Sequence, residues 1–96
     1  MIETIVKTVC EAYGITPEAL KSKTRKHPLP EARRMAFHFM LQYKVDADIA
    51  AESLNVHRTY HYRAMLTLKN EIMLYSHVAV NAAKIHLELE KLTIKQ

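Results

Sequence analysis

Residues 49–65 read IAAESLNVHRTYHYRAM, and this stretch predicts a helix-turn-helix. The alanines at residues 50–51 are small enough to let two helices approach closely. Leu54 and Val56 lie on either side of a turn, where both can reach a common core. Asn55 stands where the turn needs a positive φ, which Asn tolerates better than any residue except Gly.

The segment after this turn has one apolar face and one polar face. The residues predicted to point inward are Ala64, Met65 and Leu68, and those predicted to point outward are Arg58, Thr59, Tyr62 and Arg63. A cationic, hydroxylated face suits the major groove of DNA, because Arg can pair with guanine and Thr can contact a base edge or a thymine methyl. An ordinary helical hairpin with a solvated polar face would give the same pattern, so that interpretation stays open.

The rest of the chain also favours helices, because apolar residues recur at spacings of three and four. Gly14 can close the first helix, Thr16 and Pro17 suit the start of a short second one, Pro30 can open the third and Asp46 can cap the fourth. The first half of the chain is predicted to hold a first helix with apolar residues from Ile2 to Tyr13, a short helix through Ala19 and Leu20, a loop at 21–30 and a third helix with an apolar stripe from Leu29 to Tyr43. The second half is predicted to hold a short fourth helix carrying Ile49, Ala50 and Leu54, a fifth helix from about His57 to Tyr75 and a closing helix from about His77 to Leu92, with apolar residues at Val78, Ala82, Ile85, Leu89 and Leu92. We therefore expect a single all-α domain over residues 1–96, compact, with about six helices and the helix-turn-helix at about 46–75.

The composition agrees with a small helical protein that meets a polyanion. The 96 residues are 49% hydrophobic and include one Gly and three Pro, which argues against disorder and against a hairpin-rich β-protein. The net charge is +4, from 14 Lys and Arg against 10 Asp and Glu. Such a balance favours nucleic acid first and an anionic membrane second.

Most of the positive excess lies in one stretch. Residues 21–34 hold six Lys or Arg, one His and one Glu. Basic side chains on a loop beside a helix-turn-helix can contact phosphates, or insert an Arg into a narrow minor groove. A solvated, mobile loop is the alternative.

Several other classes of site and protein are not indicated. Cys10 is the lone cysteine and lies on an apolar helix face, so we expect a core residue and neither a disulfide nor a zinc site. His57 and His61 are four apart without an obvious third ligand, and we expect His61 to be partly buried and no metal to be bound. No catalytic or cofactor motif is visible, so we expect neither an enzyme nor a cofactor. No signal peptide or membrane-spanning run is apparent, so we expect an intracellular, cytoplasmic protein.

Two further stretches carry a resemblance to a known family. Residues 6–26, VKTVCEAYGITPEALKSKTRK, and residues 32–43, ARRMAFHFMLQY, stand in the order of the opening helix, "I-x-x-x-x-L" short helix, "SK-R" basic loop and "PRQ-A-YL" helix of that family. The chain thereby resembles the C-terminal DNA-binding domain of the bacterial replication initiator DnaA, a Trp-repressor-like helix-turn-helix. The resemblance covers nearly the whole chain. The initiator's ATPase module is not in these 96 residues, so we expect either an excised domain or, as the starting Met and closing helix suggest, a free-standing relative.

The resemblance implies roles for particular residues. Arg25 takes the place of the family's minor-groove Arg, Lys23 matches a family Lys, and Arg33 matches an Arg near the phosphate backbone. The family reads its DNA box through a "GRDHTT" signature, where this chain has NVHRTY at 55–60. By position, Val56 stands for the signature's Arg, His57 for its Asp and Arg58 for its His. Thr59 stands for the first Thr and Tyr60 for the second. Only Thr59 is kept, so we expect a different DNA sequence preference.

The leading hypothesis is sequence-specific binding of double-stranded DNA in control of replication or transcription. The residues that we expect to contact DNA are Lys23, Arg25, Lys26, His27, Arg33, Arg34, His57, Arg58, Thr59, Tyr60, Tyr62 and Arg63. A helical protein-interaction module with a basic surface is the alternative. A membrane-surface protein is disfavoured, because the basic residues lie on a loop and not on the polar face of one helix. The closing helix is a candidate surface for a protein partner, and the oligomeric state stays open.

Overall fold

The computed structural model describes residues 1–94, apart from the side chains of His61 and Ile94, and contains six helices and no strand within that range. The helices are α1 (Ile2–Tyr13), α2 (Pro17–Leu20), α3 (Leu29–Gln42), α4 (Ala47–Ser53), α5 (Tyr60–Leu74) and α6 (Ser76–Ile94). The prediction of a compact all-α protein is confirmed. None of these helices is both long and apolar enough to cross a membrane.

Local sequence signals set several helix ends as predicted. Gly14 closes α1 at φ 65°, in the left-handed region that lacks a steric penalty only for glycine. The Thr16 hydroxyl accepts a hydrogen bond from the Ala19 amide at 3.1 Å, and Pro17 occupies the first turn of α2. The Asp46 carboxylate accepts from the Asp48 amide at 2.9 Å and so caps α4.

Four helices surround the core, and the other two lie against them. α1, α3, α5 and α6 contact one another in a closed ring, α2 packs on α1 and α3, and α4 packs on α3 and α5. The larger fully buried side chains include Ile5, Leu20, Met35, Phe37, Phe39, Met40, Leu68, Ile85 and Leu89. α3 is buried on most of its circumference, which explains why Phe37 is in the core although it lies off the predicted stripe.

Two apolar residues assigned to helix faces are not in the core. Ile49 is 53% exposed, because the short α4 meets the core through Ala50, Ala51 and Leu54 instead. Leu92 is 37% exposed near the end of α6, where fewer elements remain to cover it. Cys10 is buried as predicted.

Candidate nucleic-acid interface

The turn between α4 and α5 has the predicted geometry. Asn55 has φ 58°, and Leu54 before it is completely buried. Val56 packs against the core, and its amide donates to the Ala51 carbonyl at 3.0 Å. The turn is thus held from both sides, which fixes the direction in which α5 leaves it.

The start of α5 differs from the prediction. The helix begins at Tyr60 and not at His57, so Arg58 and Thr59 belong to the turn that precedes it. His57 explains the delay: its Nδ1 accepts from the Thr59 amide at 3.2 Å and lies 2.9 Å from the Thr59 hydroxyl.

The predicted outward-facing residues are exposed. Arg58, Thr59, Tyr62 and Arg63 all lie on the surface around the start of α5, and Tyr62 is 72% exposed. Arg58 and Thr59 project from the turn, whereas Tyr62 and Arg63 project from the first turn of the helix. Cationic and hydroxyl groups therefore surround one helix end.

Tyr60 is a mixed case. Its ring packs edge-on against Phe37, with centroids 5.4 Å apart and planes at 75°. Burial raises the pKa of its hydroxyl, and the neighbouring Arg34 and Arg33 partly offset that rise. Tyr60 is therefore half-buried and part of the packing under the interface.

Arg33 requires a correction, since the structure does not offer it to a phosphate. Its side chain lies within the protein, and the residue is only 6% exposed. The guanidinium donates to the carbonyls of Leu20 at 2.6 Å, Ser22 at 2.6 Å and Thr24 at 2.7 Å. Arg33 shares a helix face with the buried Ala36 and Met40, which turns it inward. It holds the start of the basic loop from inside.

Arg34 is also engaged. Its Nε and Nη2 donate to the two carboxylate oxygens of Glu71 at 2.7 and 2.9 Å, which joins α3 to α5. The side chains are 19% and 16% exposed. This bidentate pair neutralises the Arg34 charge, so Arg34 is a poor candidate for a phosphate contact.

The basic loop, residues 21–28, presents the remaining cations outward. Lys21, Lys23, Arg25, Lys26 and His27 are all exposed. No Asp or Glu occurs in the loop. Because Arg33 binds the loop's carbonyls from beneath, the charged side chains are left on the solvent side.

The basic loop and the turn meet directly. The Lys23 ammonium donates to the Asn55 carbonyl at 2.8 Å, and the Asn55 side-chain amide donates to the Lys21 carbonyl at 3.1 Å. Beside this junction lies an open cleft of about 450 Å³, whose lining includes Lys23, Arg25, Arg34, His57 and Tyr60. The two stretches singled out in the sequence therefore form one surface.

Two residues of this region were not singled out as site residues from the sequence. Glu71 lies one turn beyond Leu68 on the inward face of α5, and a carboxylate at such a position needs a cationic partner. That periodicity was the available signal. Asn55 was expected only to shape the turn, and its contact with a loop 34 residues away had no local signal.

No group of three or more potential metal ligands occurs among the described residues, and the side chain of His61 lies outside them.

Comparison with known families agrees with this geometry. A family model described as the bacterial dnaA protein helix-turn-helix matches residues 2–59. The chain belongs to this family. Membership implies that the chain binds DNA, which is what the DnaA helix-turn-helix does in replication initiation. The domain of this family is not itself catalytic. The matched range covers α1 to α4 and the turn and ends just before α5. No curated protein sequence matches the chain significantly.

Proposed function

We propose that this protein binds duplex DNA sequence-specifically, through the surface shared by the basic loop and the start of α5, to control replication or transcription. The observation that carries the proposal is the junction of Lys23 with Asn55 at 2.8 Å, because it places the loop's cations beside the start of α5. The basic loop, which can bind phosphates or the minor groove, and the start of α5, which can bind the major groove, are therefore next to each other. Such a partner would place the protein's action in the cytoplasm.

The charge distribution supports a polyanionic ligand at this surface. Residues 53–70 contain no Asp or Glu, and neither does the basic loop. Arg58 and Arg63 are exposed and can form paired bonds with guanine in the major groove. Arg25 extends from the loop, where it can enter a minor groove, and Lys23 and Lys26 can contact phosphates.

A salt titration with a labelled duplex tests this function. Each phosphate contact by Lys or Arg should steepen the fall of log affinity against log salt by about 0.9. We expect a slope equivalent to several contacts, and a smaller slope for Lys26→Ala. Absence of binding at low salt would contradict the proposal.

A protein-interaction role is the second candidate, and exposed apolar side chains favour it. Val80 and Leu87 on α6 are 55% and 57% exposed, and Met73 and Leu74 at the end of α5 are 75% and 73% exposed. A protein partner through α6 would protect the first two from solvent. If that role were the main one, Leu87→Ser would abolish partner binding, and DNA affinity would be weak and the same for all sequences.

A further inference from the structure

We propose that Asn55 is a positioning residue that clasps the basic loop to the helix-turn-helix and so fixes the spacing between their two DNA contacts. The inference rests on the proposed function. It concerns a residue that need not touch DNA itself.

The clasp consists of two reciprocal hydrogen bonds. The Asn55 carbonyl accepts from the Lys23 ammonium at 2.8 Å, and the Asn55 amide donates to the Lys21 carbonyl at 3.1 Å. A carbonyl can only accept, so the side chain must present its NH2 group to Lys21. Backbone and side chain of one residue thus hold two points of a loop more than 30 positions away.

The backbone conformation of Asn55 sets up both bonds. Its φ of 58° is in the left-handed region, which Asn reaches at little cost and most residues avoid. Asn55 stands at the glycine of the "GRDHTT" signature. Glycine would satisfy the same φ but could not donate to Lys21, so the side-chain half of the clasp is a feature of this chain's own sequence.

Within the described part of the chain, the other side-chain hydrogen bonds that reach the loop from a different helix come from Arg33 beneath it. Arg33 binds the carbonyls of Leu20, Ser22 and Thr24, which fixes the loop to α3 but not to the turn. The position of Arg25 relative to Arg58 and Arg63 therefore depends on the clasp. A protein with this clasp should accept one spacing between an A·T-rich flank and the bases read by α5, because the two reading elements move together.

Asn55→Gly is the sharpest test, since it keeps the positive φ and removes only the side chain. DNA is selected from random duplexes with the wild-type protein and with Asn55→Gly, and the distance between the two conserved parts of each selected site is measured. We expect one sharp spacing for the wild type and a spread over neighbouring spacings for Asn55→Gly. Affinity for the wild-type site should fall about threefold to tenfold, as for the loss of one hydrogen bond.

Two further variants separate positioning from folding. Asn55→Asp tolerates the same φ but lacks the amide donor, so it should broaden the spacing as Asn55→Gly does. It replaces Asn55→Gly in the test if the glycine variant is unstable. Lys23→Met removes the other half of the clasp and should also broaden the spacing. A general loss of stability would lower affinity for every site equally and leave the spacing sharp.

The failures of the two proposals are distinguishable. If the wild type selects sites with one sharp spacing and both Asn55 variants select the same sites just as sharply, the clasp is not a positioning device, although DNA binding stands. If the wild type enriches no site at all, the proposed function is wrong and the clasp proposal is overturned with it.

Discussion

Arg34 and Glu71 join α3 to α5 through two hydrogen bonds of 2.7 and 2.9 Å between guanidinium and carboxylate. Both side chains are less than one-fifth exposed. Removal of Arg34 alone would leave the Glu71 carboxylate shielded from water and without its cationic partner. The resulting loss of stability is larger than the stability that the intact pair contributes. We expect Arg34→Ala to lower the free energy of unfolding by about 2 kcal/mol, measured by urea denaturation.

The double variant Arg34→Met/Glu71→Leu is the control for this pair. It removes both charges together, so it should cost less stability than Arg34→Ala alone. Its salt slope for DNA binding should equal that of the wild type, because the pair touches no phosphate. A slope reduced by about 0.9 would instead identify Arg34 as a phosphate contact.

Arg33 should be important for stability and not for direct DNA contact. Its guanidinium binds three carbonyls from the end of α2 and the following loop at 2.6–2.7 Å, while the residue itself is 6% exposed. Lysine offers a point charge that cannot reproduce this fork of donors. We expect Arg33→Lys to lower the free energy of unfolding by about 2–3 kcal/mol. Exposed Lys26→Ala is the matched control, with a change within about 0.5 kcal/mol.

The hydrogen bond between Tyr13 and the buried Glu31 should make the free energy of unfolding fall at alkaline pH. The Tyr13 hydroxyl donates to Glu31 at 2.6 Å, and burial, followed by this hydrogen bond, raises the pKa of Tyr13. The folded protein therefore holds the phenolic proton more tightly than the unfolded chain does. The resulting stability is fully present below about pH 10 and is lost as the pH rises further.

The measurement is the free energy of unfolding against pH for the wild type and Tyr13→Phe. Near neutral pH the variant should be less stable by about 1 kcal/mol, because Glu31 loses a donor. Above about pH 10 the wild type should lose stability more steeply than the variant, so the two curves converge. Parallel curves would show that Tyr13 does not contribute to the alkaline loss.

Cys10 should be chemically inert in the folded protein. It is 4% exposed, and burial first and Glu18 second raise the pKa of its thiol, so little reactive thiolate is present near neutral pH. We expect an aromatic disulfide reagent to label Cys10 at the rate of unfolding and at once in denaturant. Rapid stoichiometric labelling of the native protein would contradict the buried position.

The features that the sequence predicts well are those with short-range causes. Gly14, Thr16, Asp46 and Asn55 each satisfy a need of the backbone within a few residues, and all four lie as expected. The apolar periodicity likewise predicted most of the core.

The features that were missed depend on contacts between distant parts of the chain. Arg33 was assigned by its resemblance to a family residue, although its face of α3 is buried and its acceptors lie 9–14 positions earlier. Glu71 meets Arg34 from 37 positions away. The start of α5 was placed three residues early, because the His57 ring binds the Thr59 amide and no propensity scale describes that contact.

The altered recognition segment leads to the last prediction. Of the family's "GRDHTT" signature only Thr59 is kept, and Arg58 and Arg63 now provide the exposed guanidinium groups at the start of α5. A surface that lacks the signature's Asp should not distinguish the same bases. We expect the protein to bind the family's box no better than random DNA and to select another site.

The measurement is selection from random duplexes with the wild type, Arg58→Ala and Arg63→Ala. Loss of a bidentate contact with guanine should cost about 1–3 kcal/mol and relax the consensus at one base position. Arg25→Ala should instead weaken binding mainly to sites with an A·T-rich flank, whereas Lys26→Ala should weaken all sites about equally. Enrichment of the family's box by the wild type would refute the change in specificity. An unaltered consensus in both Arg58→Ala and Arg63→Ala would mean that neither Arg reads bases.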